Sequence, residues 1–204
     1  SFKTTEPIQT PTSPNIRVTG LDTLEFNKID TEGKQWEVSG TVLDEHNANA
    51  SFSIEVLDLA GNKGSPVVAT NDNTSVVLDN KIPILSGITL VSTNANNSQA
   101  FAKPGDNITL SFNSSETIQT PVIVLADNAS LYVVDTSIDQ DGTSWEVVYN
   151  VNSSESERDV SFNIAYQDIA GNFGDNRTRA NSSTNSIRID TVIPELDLVS
   201  LASN

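Results

Sequence analysis

The feature that most constrains this chain is an internal repeat, because its first half matches its second half at an offset of about 110 residues. Five blocks match in the same order. They pair residues 1–11 with 111–121, 35–38 with 144–147, 51–54 with 161–164, 58–62 with 168–172, and 78–83 with 189–194. A repeat of this length predicts that one structural unit occurs twice in tandem.

The apolar residues of each copy alternate with polar ones, as in Ile108, Leu110 and Phe112. This period of two is typical of strands with one buried face, and no helical stripe interrupts it. Turn residues, such as those at 104–106 and 141–142, separate the runs. The second copy is predicted to hold seven strands, near residues 85–92, 106–113, 121–126, 129–135, 143–151, 159–168 and 183–190.

The chain length fits this interpretation, since 204 residues is enough for two domains of about 100 residues each. Seven short strands in a complete copy favour an antiparallel sandwich. We therefore predict an all-β chain of two tandem immunoglobulin-like antiparallel β-sandwiches. Predicted domain 1 spans 1–82 and domain 2 spans 83–192, and 193–204 is the first strand of a following repeat or a donor strand.

The two copies differ at their first strand. The strand predicted at 85–92 precedes the second copy and a counterpart at 196–203 follows it, whereas domain 1 lacks such a strand. Two explanations stay open. Either the sequence is a fragment of a longer array, or residues 196–203 complete the open sandwich of the next molecule and build a filament.

Two tryptophans, Trp36 and Trp145, occupy equivalent alternating positions in the copies. A large ring in the same place twice is expected to fill the interior between sheets, and an exposed platform for sugar is the alternative. The Asp-x-Ala-Gly-Asn runs at 58–62 and 168–172 are interpreted as tight turns. In such turns Asp caps backbone amides, and Gly and Asn accept positive φ.

The charge balance bears on partners. Asp and Glu number 27 against 11 Lys and Arg, and the net charge of −16 opposes binding to nucleic acid or anionic lipid. No apolar run reaches the ~18 residues of a membrane helix, so no membrane insertion is expected. The chain contains no Cys, which excludes a thiol nucleophile and a zinc–sulfur site.

The sequence offers no catalytic set. Its only histidine, His46, is predicted to lie in an exposed hairpin loop that has no counterpart in the second copy. A Gly-x-Ser-x-Gly elbow and a phosphate-binding glycine loop are both missing from the sequence. We therefore expect that the protein is not an enzyme.

Calcium is the one cofactor that the acidic residues suggest, because hard cations bind several carboxylate and carbonyl oxygens that converge from loops. The candidate ligands are Asp135, Asp139 and Asp141 in the densest acidic loop, and Asp79, Asn80 and Asp190 at the ends of the copies. The first set lacks the full pattern of a helix-flanked calcium loop, and an ion bound by the second set would stiffen an array of domains. Ordinary solvated turns are the alternative interpretation.

Three motifs recur or stand out in the chain: Asp-x-Ala-Gly-Asn-x-Gly at 58–64 and 168–174, Leu/Ile-Asp-x-x-Ile-Pro at 78–83 and 189–194, and Ala-Lys-Pro-Gly-Asp at 102–106. With these motifs the chain resembles the bacterial immunoglobulin-like repeats of large surface and adhesin-type proteins. It resembles hyalin-repeat and fibronectin type III-like modules more distantly.

The resemblance implies a structural or adhesive segment of an extracellular or cell-surface protein, which acts as a rod, stalk or filament subunit. The partners expected are neighbouring repeats of the same protein, with head-to-tail self-association by strand complementation as a further expectation. Two alternatives stay open. One is a module that binds carbohydrate or protein through its loops, and the other is an accessory domain of a secreted enzyme.

Overall fold

The computed structural model describes residues 1–13, 15–95, 100–128, 131, 133–137, 140–180 and 186–201. These described residues form strands and turns and no helix, which confirms the predicted all-β class. The chain divides into two compact units, Ser1–Lys81 (unit 1) and Ile82–Asn204 (unit 2). The division lies within the Leu/Ile-Asp-x-x-Ile-Pro motif at 78–83, which recurs at 189–194.

Seven short strands build unit 1. They are β1 (Phe2–Lys3), β2 (Ile16–Val18), β3 (Leu21–Lys28), β4 (Gln35–Val42), β5 (Asn47–Asn49), β6 (Phe52–Ile54) and β7 (Val77–Asp79). The largest sheet has the order β1-β4-β3, while β2 pairs with β6 and β5 pairs with β7. All of these pairs are antiparallel.

Nine strands build unit 2. They are β8 (Leu85–Ser92), β9 (Phe101–Ala102), β10 (Asn107–Ser114), β11 (Val122–Leu125), β12 (Val133–Asp135), β13 (Ser144–Asn150), β14 (Arg158–Asp159), β15 (Phe162–Ala165) and β16 (Arg188–Ile189). The main sheet has the order β12-β13-β10-β8, and β11 pairs with β15. A third sheet has the order β14-β16-β9, in which β16 and β9 run parallel.

A closed apolar core lies in unit 2. Alternate residues of β10 point inward, so that Ile108, Leu110 and Phe112 are buried. They join one buried cluster with side chains from β8, β11, β13, β15 and β16. The cluster therefore lies between the main sheet and the sheet of β11 and β15, and unit 2 is sandwich-like.

Unit 1 has a much smaller buried interior. Its buried hydrophobic residues among those described are Ile8, Ile16 and Trp36. At the repeat offset β1 corresponds to the end of β10, and unit 1 has no counterpart of β8 or β9 among its described strands. Among the described residues, unit 1 therefore buries far fewer apolar side chains than unit 2.

Trp36 and Trp145 are both buried, as predicted. In each unit the indole Nε1 donates to a glycine carbonyl at 3.1 Å, from Trp36 to Gly33 and from Trp145 to Gly142. The same carbonyl accepts a backbone N–H from Ile8 in unit 1, and the equivalent bond recurs in unit 2. Both glycines have positive φ, which suits a tight turn before β4 and β13.

The seven strands predicted for the second copy are present, of which β8 has the predicted ends and the other six differ by one or more residues. Residues 129, 130, 132 and 183–185 of the predicted strands lie outside the described residues. The sequence did not predict β9 and β14. Each has only two residues, which is too short to show alternation.

We predict that an alanine substitution at one repeat position costs more stability in unit 2 than in unit 1. Ile164→Ala leaves a cavity in a closed core and should lower the free energy of unfolding by about 2–5 kcal/mol. Ile54→Ala should cost less, because Ile54 is only half-buried whereas Ile164 is fully buried. Urea unfolding followed by Trp145 fluorescence in a Trp36→Phe background measures the free energy of unfolding of unit 2. Trp36 fluorescence in a Trp145→Phe background measures that of unit 1. Equal losses in both units would contradict the difference in closure.

Candidate functional site

One of the cavities that the described residues form is a groove in unit 1. It has a volume of about 590 Å³. Its apolar lining, which we call the unit 1 groove, consists of Phe2 from β1, Phe52 and Ile54 from β6, and Val56 and Val67. Four of these side chains are half-buried, and Val67 is exposed. The groove thus presents apolar surface without an apolar cover.

The equivalent surface in unit 2 is covered. Phe112, Phe162, Ile164 and Tyr166 stand at the positions of Phe2, Phe52, Ile54 and Val56, and all four are buried. The cover comes from β8, whose Leu85, Ile88 and Leu90 belong to the same buried cluster. Among the described strands of unit 1, none pairs with β1 on the side where β8 pairs with β10.

The backbone of β1, which lies beside the groove, pairs with another described strand on one side only. In unit 2, β10 lies between β13 and β8 and forms hydrogen-bonded ladders with both. In unit 1, β1 pairs with β4 on one side and is the edge strand of the sheet among the described residues. An edge strand presents N–H and C=O groups in the direction where another strand can pair.

The Asp-x-Ala-Gly-Asn motifs form the predicted tight turns. The Asp168 carboxylate accepts the backbone N–H groups of Gly171 and Asn172 at 2.7 and 2.8 Å. Asp58 in unit 1 likewise accepts the N–H and the side-chain amide of Asn62 at 2.8 and 2.7 Å. These hydrogen bonds from Asn62 lower the pKa of Asp58. The aspartates therefore organise the turns.

The last glycine of the motif, which is Gly174 in unit 2, is explained by a close contact and not by the turn. The ring of Tyr166 occupies the space where a Cβ at Gly174 would lie, so only glycine fits there. At the equivalent Gly64 of unit 1 the nearest side chain is the smaller Val56. The sequence pattern signals this position, but it does not tell which ring packs on it.

The acidic loop that was predicted as a calcium candidate leads into the turn at Gly142. We call this turn, and the equivalent turn at Gly33, the tryptophan turn, because the glycine carbonyl accepts the indole N–H of the tryptophan that follows. Asp135 accepts N–H and O–H bonds from Ser137 and the N–H of Gly142, the last at 2.7 Å. Asp141 accepts both the N–H and the hydroxyl of Thr143. Asp139 lies outside the described residues. Calcium binding by this loop stays a prediction.

Asp135 supports the core through Gly142, whose carbonyl accepts the indole N–H of Trp145. In unit 1, Asp30 does the same for Gly33 and Trp36, with its carboxylate 2.8 Å from the Gly33 nitrogen. Burial raises the pKa of Asp135, but the hydrogen bonds from Ser137 and Gly142 outweigh it and hold the pKa below its ordinary value. The carboxylate thus acts as a structural acceptor.

The second set of calcium candidates, Asp79, Asn80 and Asp190, forms local hydrogen bonds within each unit. In unit 1, Asp79 at the end of β7 accepts the N–H of Lys81, and the Asn80 amide donates to Asp44. In unit 2, Asp190 follows β16 and accepts the N–H of Val192 at 3.1 Å. These contacts are typical of the turns that end a strand.

His46 lies in the turn between β4 and β5, but it is half-buried, so the prediction of an exposed histidine is wrong. Its ring occupies the space where a Cβ at Gly20 would lie. Gly20 has a φ of 86°, a conformation that glycine adopts without strain. The contact is tertiary, and for that reason the local sequence could not predict it.

Unit 2 contains a cluster of titratable groups that no sequence motif predicted. The Tyr149 hydroxyl donates to Glu155, and Glu155 forms an ion pair with Arg158 at 2.7 Å. The hydrogen bond from Tyr149 and the charge of Arg158 lower the pKa of Glu155, although burial opposes them. Arg158 also donates to the carbonyl of Ala126 at 3.0 Å. The cluster therefore ties three segments of unit 2 together.

No protein-family model and no curated protein sequence matches this chain. In the described part of the chain, no helix is long and apolar enough to cross a membrane.

We predict that Asp135→Asn makes unit 2 less stable at neutral pH and less sensitive to acid. Because the folded pKa of Asp135 lies below the unfolded value, its contribution is present above about pH 4 and is lost as the pH falls through the folded pKa. Thermal melting of the native chain and the variant between pH 2 and pH 7 measures the difference. The exposed Asp175 of unit 2 provides the control, since Asp175→Asn should leave the melting temperature and its dependence on acid unchanged. A variant that keeps the native acid dependence would contradict the assigned role.

Proposed function

We propose that the chain is a structural and adhesive repeat segment of an extracellular or cell-surface protein, built from two copies of one immunoglobulin-like unit. One observation carries the proposal: an aspartate, a glycine and a tryptophan form the same chain of hydrogen bonds in both units. The glycine and the tryptophan stand at matched sequence positions, which is what duplication of a unit produces, whereas the two aspartates reach the glycine from different positions in the chain. Tandem units of this kind extend a protein in length.

The strand order of unit 2 supports an immunoglobulin-like topology. With strands lettered A to G in chain order, such a sandwich has one sheet ordered A-B-E-D and a second sheet of C, F and G. The main sheet of unit 2 places β8, β10, β13 and β12 side by side, and β11 pairs with β15. Naming β8, β10, β11, β12, β13 and β15 as A to F accounts for all of these neighbours.

The acidic composition supports a location at the outside of the cell in an extended form. A net charge of −16 on 204 residues makes segments repel one another and opposes non-specific association. The absence of Cys means that folding does not require an oxidising compartment, so the location is inferred from charge and resemblance. Neighbouring repeats of the same protein are the partners that this function requires.

A second candidate is a module that binds carbohydrate or protein through its loops, and the position of Phe173 supports it. Phe173 is 74% exposed in the turn of the second Asp-x-Ala-Gly-Asn motif, where Ile169 is also exposed. An aromatic ring on a well-ordered turn offers a flat apolar face against which a sugar ring can stack. Unit 1 has Lys63 at the equivalent position.

If this second function holds, we expect saturable binding of the chain to one class of glycan on an array. Phe173→Ser should abolish that binding because it removes the stacking face. Val148→Ser is the matched control, since Val148 is also exposed but lies on β13 in the main sheet. Binding that survives Phe173→Ser would remove the ring from consideration.

The proposed location can be tested with antibodies raised against the 204-residue chain. We expect immunogold label on intact cells that produce the parent protein, without permeabilisation. Protease treatment of intact cells should remove the label, because an external segment is accessible to the enzyme. Label that appears only after permeabilisation would contradict the proposed function.

A further inference from the structure

We propose that Asn152 of unit 2 is an acceptor for N-linked glycosylation by an oligosaccharyl transferase. The inference goes beyond the proposed function, because it assigns a covalent modification to one side chain. It is carried by residues of unit 2 alone, namely the sequence around Asn152, the loop that presents it, and the strands that hold the competing asparagines.

The acceptor sequence for this modification is Asn-x-Ser/Thr, in which x is not Pro. It occurs nine times in the chain, and the seven cases in unit 2 begin at Asn96, Asn107, Asn113, Asn128, Asn152, Asn176 and Asn181. With 22 Asn and 45 Ser and Thr among 204 residues, a random order would give about five cases in all. The chain therefore carries more acceptor sequences than its composition requires, and the structure shows which of them are accessible.

Asn152 lies in the loop between β13 and β14. All three residues of its acceptor sequence, Asn152, Ser153 and Ser154, are exposed, and none of them belongs to a strand. A transferase has to take the acceptor segment into its own cleft. An exposed loop can enter such a cleft without breaking the hydrogen bonds of a sheet.

Local hydrogen bonds hold the asparagine and the required hydroxyl side by side. The Asn152 Oδ1 accepts the backbone N–H of Ser154 at 2.9 Å and the Ser154 hydroxyl at 2.5 Å. These bonds form an Asx turn at the surface. The Asn152 Nδ2 donates to Glu155 at 3.2 Å, and because the amide nitrogen carries two hydrogens, this bond engages one of them. The loop thus presents both groups that define an acceptor.

The reaction needs one co-substrate, which is a sugar joined through its C1 atom to a lipid diphosphate. The Asn152 Nδ2 forms a bond to C1 while the bond between C1 and the phosphate oxygen breaks. The lipid diphosphate leaves with the electron pair of that bond, and the nitrogen loses one proton to a base of the transferase. The product is an N-linked sugar, and no oxidant or reductant takes part.

Two competing acceptor sequences are held in β10. In the sequence that begins at Asn107, the middle residue Ile108 is fully buried, so the segment cannot leave the sheet without opening the core. In the second, Asn113 pairs with both β13 and β8. The hydroxyl of Ser115, the third residue of that sequence, accepts the N–H of Ile84 at 2.9 Å. The fold therefore withholds both sequences from a transferase.

A third competing sequence begins at Asn176. Its middle residue, Arg177, exchanges both backbone hydrogen bonds with Ile164 of β15, at 2.9 and 3.1 Å. The other three sequences of unit 2 include residues outside the described part of the chain. Of the four that the structure describes completely, the sequence at Asn152 is the one that is exposed throughout and lies outside strand pairing.

The first experiment offers the folded 204-residue chain, made in a host without this modification, to a purified oligosaccharyl transferase and a lipid diphosphate-linked oligosaccharide. Peptide mass spectrometry measures the fraction of each asparagine that carries sugar. We expect the occupancy of Asn152 to exceed that of Asn107 and Asn113 by about 10-fold or more, because core strands open far more rarely than exposed loops.

Short synthetic peptides with the same three acceptor sequences provide the reference for the transferase. All three peptides should accept sugar, since without the fold nothing withholds any of them. A folded chain that stays unmodified at Asn152 while its peptide accepts sugar would overturn the proposal. Equal occupancy of Asn107, Asn113 and Asn152 in the folded chain would overturn the selection by the fold.

Two serines of the loop supply a matched pair of variants. Ser154→Ala should abolish transfer to Asn152, because it removes the hydroxyl of the acceptor sequence, and Ser154→Thr should keep it. Ser153→Ala is the control, since Ser153 is exposed in the same loop but lies at the x position. Trp145 fluorescence confirms that each variant keeps unit 2 folded. Transfer is measured on the purified chain, so a negative result here leaves the proposed location to be decided by the labelling of intact cells.

Discussion

The rest of this structure depends on one requirement, namely that the apolar side of a β-sheet must be covered by other apolar groups. In unit 2, β8 provides the cover, and Leu85, Ile88 and Leu90 close the cluster that contains Phe112. The equivalent face of unit 1 is lined by half-buried side chains. Since the tryptophan turns of the two units share their hydrogen bonds, the units differ in closure far more than in local geometry.

The acidic residues of the chain act mainly on the backbone beside them. Asp30 and Asp135 reach a glycine N–H from different distances along the chain, and each glycine carbonyl then accepts the indole of a buried tryptophan. The carboxylate thus connects a surface loop to the core through one residue. In the acidic loop of unit 2, the carboxylates of Asp135 and Asp141 accept N–H and O–H groups of neighbouring residues.

Sequence patterns predicted the parts of the fold that depend on residues close together in the chain. The alternation in β10 and β13 predicted both strands and their inward faces, and the repeat predicted that Trp36 and Trp145 are buried. Features set by tertiary contact were missed. The burial of His46 depends on contact with Gly20, which lies between β2 and β3, and Arg158 donates to the carbonyl of Ala126, which is 32 residues away in the sequence. Contacts between residues so far apart leave no local pattern from which they could be predicted.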